Sequence, residues 1–151
     1  MDAVFPGLGY AGMFLSALLA ATLLPLGSEP VFAALLVQDL STGMLVAVAT
    51  VGNVLGSVVN YGLGRWLRQG RVSRWLHVSE TALQRAERWF GKYGLYALLL
   101  AWMPIIGDPI TVMAGVMRVR LLWFLILVTI SKLSRYAALA YLVSTALTAA
   151  G

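Results

Sequence analysis

Four charged side chains sit where this chain can least tolerate them. Glu29 and Asp108 each follow a break in an apolar run, and each is followed directly by a second proline. The two stretches are Leu24-Pro25-Leu26-Gly27-Ser28-Glu29-Pro30 and Met103-Pro104-Ile105-Ile106-Gly107-Asp108-Pro109. Lys132 and Arg135 interrupt the last apolar run, three residues apart and therefore on one face of a helix. A charge at hydrocarbon depth costs a few kcal/mol even on lenient insertion scales, so these groups must face a protein interior and pair. Two acids and two bases make a neutral cluster. Such a cluster could bind an anion, with Lys132 and Arg135 holding a phosphate headgroup, and could pass protons through its carboxylates. Burial raises a carboxylate's pKa and a neighbouring cation lowers it, which places Glu29 or Asp108 to carry a proton. A purely structural ion-pair lock is the competing reading of the same four residues.

A second group of polar residues shares one helix face. Asn53, Gly56, Ser57, Asn60 and Gly64 fall at i, i+3, i+4, i+7 and i+11. Gly52 and Gly56 form a small-xxx-small pair that permits close helix contact. Asn53 and Asn60 either line a polar interior or make interhelical bonds. Other chemistries lack their residues: there is no cysteine, and the single histidine, His77, lies outside every apolar segment. No metal site, cofactor or catalytic nucleophile is expected.

The elements that position these residues follow from composition. Of 151 residues, 60% are hydrophobic and 11% charged, which identifies the bilayer as solvent. No basic residue precedes Arg65, so the first apolar run lacks the leader of a signal peptide. Residues 8–24 predict a helix, followed by the first break. A short helix then starts at Ser28 or Glu29, with Pro30 in its first turn, and runs to about Val37. Residues 38–43 predict a turn and 44–64 a spanning helix.

Seven of the eleven basic residues fall between Arg65 and Lys92, which puts residues 65–92 in the cytoplasm. The basic run could also suggest nucleic acid, but its flanks are membrane-grade and no nucleic-acid partner is expected. Within it, Ser79 reads as the N-cap of an amphipathic helix reaching Tyr93. That helix either lies in the headgroup layer or packs on the protein. Segments 94–103 and 109–117 bracket the second break. Residues 121–150 are a long apolar run interrupted by the polar stretch Ser131-Lys132-Leu133-Ser134-Arg135 and read as one tilted final span, with Lys132 about 16 Å of helix from its start.

Residues 8–37 form either one broken span or a re-entrant hairpin that enters and leaves on one side. The charge distribution favours the hairpin, entered from outside, and a second hairpin entered from inside. Each is followed by a span, with Asn60-Tyr61 in the first and Arg135-Tyr136 in the second. The expected fold is an all-α integral membrane protein. It is an inverted repeat of two re-entrant helical hairpins, each followed by a transmembrane helix, with a cytoplasmic amphipathic helix between the halves. Half one covers 8–64, the basic segment 65–92 and half two 93–150, all within one domain over 1–151. Inverted repeats with broken helices are the architecture of secondary transporters.

At these residues the chain resembles the DedA superfamily (the VTT or SNARE-associated domain), in its small YqaA-like branch. The resemblance rests on Ser16-Ala17, Ala21-Thr22-Leu23-Leu24-Pro25, Ser28-Glu29, Gly52-Asn53-Val54-Leu55-Gly56, Asn60, Leu63-Gly64-Arg65, Leu99 to Asp108, and Lys132 with Arg135-Tyr136. It implies a multi-pass protein of the bacterial inner membrane. It also implies movement of a polar lipid, a phospholipid or a polyprenyl phosphate, driven by protons. Relatives typically carry arginines around the second hairpin's proline, where this chain has Trp102 and Gly107; Lys132 and Arg135 would supply that charge here.

The leading expectation is therefore a lipid transporter or flippase with Glu29, Asp108, Lys132, Arg135, Asn53 and Asn60 as substrate- and proton-binding residues. A homodimer could complete the site. The alternatives are a membrane-embedded enzyme acting on lipid phosphates and a structural or assembly protein of the inner membrane. An ion channel fits less well, since no acidic ring or carbonyl-filter motif occurs.

Overall fold

The computed structural model describes residues 6–22, 27–38, 40–66, 79–103 and 106–151, and these are helical throughout apart from short connections. Six α-helices follow in order: α1 (Pro6–Thr22), α2 (Glu29–Leu36), α3 (Thr42–Trp66), α4 (Glu80–Tyr93), α5 (Gly107–Val116) and α6 (Leu121–Ala150). A 3-10 helix, Gly94–Trp102, lies between α4 and α5. Pro25, Asp39, residues 67–78 of the basic segment with His77, and Pro104 fall outside the described residues.

Among the described helices, α3 and α6 are long and apolar enough to cross a membrane. At the standard rise they measure roughly 38 and 45 Å, against about 30 Å of hydrocarbon. In α3 the polar stripe faces inward. Asn53, Gly56, Ser57, Asn60 and Gly64 are all buried, while Val51, Leu55 and Val59 form an exposed aliphatic row at i, i+4 and i+8. This reverses the pattern of a helix on a water-soluble core and suits a lipid-facing surface. In α6 the hydroxyls of Ser144, Thr145 and Thr148 donate to carbonyls three or four residues earlier in the same helix. That satisfies these three hydroxyl donors within the helix itself.

Two apolar clusters flank the middle of the fold. One joins Met13 and Ala17 of α1, Phe32 of α2, Leu45 and Ala49 of α3, and Tyr136 and Ala140 of α6. The other joins Val54 and Tyr61 of α3 with Phe124 and Val128 of α6, and adds residues of α4, α5 and the 3-10 helix. The beginning of α3 thus meets the second half of α6, and its end meets the start of α6, so the two long helices run in opposite directions. The contacts of the shorter helices follow the same division. Near the start of α1, the Tyr10 hydroxyl accepts a hydrogen bond from the Ser41 amide at 3.1 Å, and Gly9 faces Leu35 and Leu40. The end of α5 lies instead beside Tyr61 and Arg65, at the opposite end of α3.

That second contact is backbone against backbone. A Cβ on Gly64 would collide with the Val112 backbone, and one on Gly115 with the backbones of Tyr61 and Arg65. Gly52 fulfils its expected packing role on the other half, where a Cβ would meet the Phe14 carbonyl and Ala17 of α1. The turn from α5 to α6 closes as a Schellman motif, with Arg118 N–H on Gly115 O and Val119 N–H on Ala114 O. Arg118 takes the left-handed conformation (φ 55°) usually given to glycine, and its charge suits a helix C-terminus.

Several sequence-based expectations change. Ser28 precedes α2 but makes no side-chain cap; its hydroxyl bonds to Tyr136 instead. Ser79 does cap, accepting from the Ala82 amide at 3.2 Å. The helix it starts uses the packing alternative rather than the headgroup layer, because Leu83, Ala86 and Phe90 are buried in the protein core. Residues 94–102 wind as a 3-10 helix after Gly94 (φ 60°). At about 2 Å rise per residue this form carries the chain further than an α-helix of equal length. The last span is, as expected, one continuous helix, and α6 carries the polar residues 131–135 without a break.

Gly64→Leu and Gly115→Leu are each expected to lower stability by about 1–3 kcal/mol or more through overpacking. Gly62→Leu, where a Cβ meets nothing within 4 Å, should leave it unchanged or slightly raised. Thermal unfolding in detergent micelles would compare the three, and equal melting temperatures would refute the backbone contact.

Candidate functional site

Between the two apolar clusters lies a polar layer. It is built from the middle turns of α3 and α6 and from the helix ends at the two breaks. Helix ends leave carbonyl and amide groups without intrahelical partners, and at membrane depth those groups need partners from protein. Asn60 supplies one: its Nδ2 donates to the Ala21 carbonyl at 2.6 Å, one residue from the end of α1. The same nitrogen lies 3.4 Å from the Thr111 hydroxyl on α5, so one asparagine touches both broken segments. Two turns earlier, Asn53 Nδ2 donates to the Ala17 carbonyl at 3.2 Å and to the Tyr136 hydroxyl at 3.3 Å. In the other half, Ser131 donates to the Leu99 carbonyl of the 3-10 helix at 2.9 Å.

The four charges form two pairs. Glu29, the first residue of α2, contacts Arg135 directly. Asp108, the second residue of α5, lies 4.0 Å from Lys132 Nζ. Both acids therefore sit in the first turn of a short helix, where the helix dipole favours negative charge, and both bases come from one face of α6. Burial is unequal. The side chains of Lys132 and Arg135 are 3% and 15% exposed, against 36% and 29% for Asp108 and Glu29. The cations are enclosed and the carboxylates form the open edge.

Tyr136 joins the pairs to the polar layer. Its side chain is fully buried, its hydroxyl bonds to Ser28 as well as to Asn53, and its ring packs on Phe32 at 5.3 Å. One acceptor nearby is unused: Asn53 Oδ1 is buried without a hydrogen-bond partner.

All six residues expected from sequence thus lie in one layer. Glu29 pairs with Arg135, Asp108 pairs with Lys132, and Asn53 and Asn60 bond across to other helices. Sequence reasoning gave Ser28 only a capping role and gave Tyr136 none beyond its place in the repeat, and it passed over Thr111 and Ser131. The available signal for Tyr136 was its position after Arg135, matching Tyr61 after Asn60. Tyr61 makes the corresponding tie in the other half: its hydroxyl donates to the Val119 carbonyl and accepts from Arg65 at 3.0 Å. The described residues contain no His, Cys, Asp and Glu grouping that could hold a metal ion.

Comparison with known proteins adds a family. The sequence pattern of the VTT domain matches residues 24–145. The inner membrane protein YqaA of Escherichia coli is 39% identical over 129 residues, covering 85% of this chain and 86% of the relative. An uncharacterised protein of Haemophilus influenzae is 37% identical over 138 residues, covering 86% and 84%. Undecaprenyl phosphate transporter A of Staphylococcus aureus is 31% identical over 131 residues, covering 79% of this chain and 64% of the relative. No solved structure matches.

The unequal burial of the second pair sets an order of damage. Asp108→Asn strands the enclosed Lys132 ammonium and should cost about 1–3 kcal/mol, a buried-pair figure discounted for the half-open carboxylate. Lys132→Met leaves Asp108 near solvent and should cost less, and the double substitution should recover most of the loss. A double-mutant cycle in thermal or denaturant unfolding measures the coupling. Strictly additive losses would show that the pair is not formed.

Proposed function

The chain belongs to the VTT domain family of membrane proteins, and from that premise we propose that it transports a polar lipid across the bacterial inner membrane. One observation carries this reading: both carboxylates at the two helix breaks pair with both bases of α6 in a layer enclosed by apolar cores. Charges this expensive are retained in membrane interiors chiefly for binding and translocation. In this reading Lys132 and Arg135 attract an anionic phosphate headgroup, while Glu29 and Asp108 release the bases to it and carry the coupling proton. Asn53 and Asn60 line the path. The relative named as an undecaprenyl phosphate transporter supports a lipid phosphate as cargo.

The transport architecture proposed is a pair of re-entrant hairpins, α1–α2 and the 3-10 helix with α5, inverted with respect to each other. The contacts of Tyr10 with Ser41 and of Gly9 with Leu35 support it, because they bring the outer ends of the first hairpin together. The seating of the two units at opposite ends of α3 supports the inversion. Residues 65–92 face the cytoplasm by their basic charge. Alternating access then consists of one hairpin shifting against the long helices around a fixed polar layer.

Reconstitution tests the reading. Liposomes carrying the purified protein should move a fluorescent lipid phosphate between leaflets faster than protein-free liposomes, measured by quenching from outside. Glu29→Gln with Asp108→Asn should reduce the rate to the protein-free level. Undiminished movement in that double variant would remove the assigned roles, and conversion of the labelled lipid to a new product would make the protein an enzyme instead.

A further inference from the structure

The two ion pairs are not equivalent, and the difference assigns them different jobs. Asp108 is carried by α5, which is fixed to α3 by the Gly64 and Gly115 backbone contacts. Its Lys132 partner is enclosed, and the charges stand 4.0 Å apart. Glu29 is carried by α2, an eight-residue helix. Its contact with Arg135 is direct and both side chains are partly open. Among the described residues, the polar and ring contacts that tie the start of α2 to α6 end on two consecutive residues. Glu29 meets Arg135, while Ser28 and Phe32 meet Tyr136 by hydrogen bond and ring contact.

We propose that Arg135 is an anion seat that Glu29 occupies in the resting protein, so that an anionic phosphate enters by displacing Glu29 and in doing so frees α2 from α6. This rests on the transport reading of the same site and deepens it. A guanidinium presents a planar fork of donors that takes a carboxylate or a phosphate in the same two-point geometry. Glu29 is thus an internal substitute for the ligand, and a phosphate carrying comparable or greater charge competes for the same donors. Once Glu29 leaves, the polar hold of α6 on the start of α2 that remains among the described residues is the bond between Ser28 and Tyr136. Asn53 Oδ1, buried and unused beside that bond, is an acceptor to which a freed hydroxyl can turn. The released arrangement therefore need not strand a buried donor. Tyr136 acts as a positioning residue: it touches no ligand and sets how firmly α2 rests on the seat. A ligand shifts such an equilibrium only by binding one state better, and competition with Glu29 supplies that difference. Asp108, on a fixed helix, does not move with α2, so Lys132 meets the entering headgroup at a stationary position beside the seat.

The absence of native cysteine allows a direct test on the whole protein. Cysteines replacing Ala34 on α2 and Ala138 on α6, both exposed positions, carry spin labels in phosphatidylcholine nanodiscs. Their separation is read by pulsed electron resonance. Glu29→Gln and Tyr136→Phe should each change or broaden the separation by roughly 5 Å, one helical turn. Phosphatidic acid added to the nanodisc should shift the otherwise unsubstituted labelled protein in the same direction, and Arg135→Gln should abolish its response. A response to inorganic phosphate as well would assign the seat to the free anion. A response to phosphatidic acid alone would assign it to a lipid headgroup. Separations unmoved by phosphatidic acid and by inorganic phosphate, in variants with unchanged thermal unfolding, would overturn the proposal. Label movement without lipid transfer would instead defeat the transport reading and keep the gate. Lipid transfer with immobile labels would do the reverse.

Discussion

Two cations on one apolar helix set the terms for the rest of the molecule. Lys132 and Arg135 lie within one turn of α6; the first side chain is almost withdrawn from solvent and the second is partly open. Neither can remain there without an opposing charge. The carboxylates come from the first turns of α2 and α5, so both helix breaks must lie level with the middle of α6. That requirement puts the ends of α1 and of the 3-10 helix in the same layer. Asn60 then meets the Ala21 carbonyl in the last turn of α1, while Asn53 and Ser131 bond carbonyls further inside α1 and the 3-10 helix. The polar layer is the consequence of placing charge at that depth; apolar clusters flank it on either side, and the carboxylates remain its open edge.

The rigidity of this arrangement is uneven. Around α5, glycine contacts bring backbones together with no side chain between them, and Tyr61 ties the same corner to the Val119 carbonyl. Around α2 the contacts run through side chains: Phe32 joins an apolar cluster, and a surface-open ion pair and one hydroxyl bond tie the helix start to α6. An element held by few contacts opens at lower free energy than one held by backbone packing. For a member of a family of membrane proteins, this asymmetry suits a site that must hold its charges in place while one wall moves.

Much of this was legible in the chain itself. The repeated break with its acid, the inward stripe of α3 and the cap at Ser79 each depend on residues close in sequence. Local rules of periodicity, capping and charge burial therefore reach them. The pairing of the four charges was also expected, because a neutral count of acids and bases at membrane depth leaves few other arrangements. Ser28 was misread for a physical reason: a serine before a helix caps it unless a stronger partner competes, and the competitor lies 108 positions away. The amphipathic segment α4 was ambiguous because headgroups and a protein core select the same apolar face. The 3-10 winding of residues 94–102 carries no periodic signature strong enough to separate it from an α-helix.

The sequence by itself determined the solvent, the two breaks and the four charges that must meet, since each follows from transfer energies of single residues and from spacing along one helix. Tertiary structure decided which acid takes which base, that Tyr136 holds α2 through Ser28, and that α5 rather than α2 is clamped to α3. Those choices depend on the distance between helices far apart in the chain. Glycines without side chains and hydroxyls with a choice of partners settle that distance only when all the helices are in place.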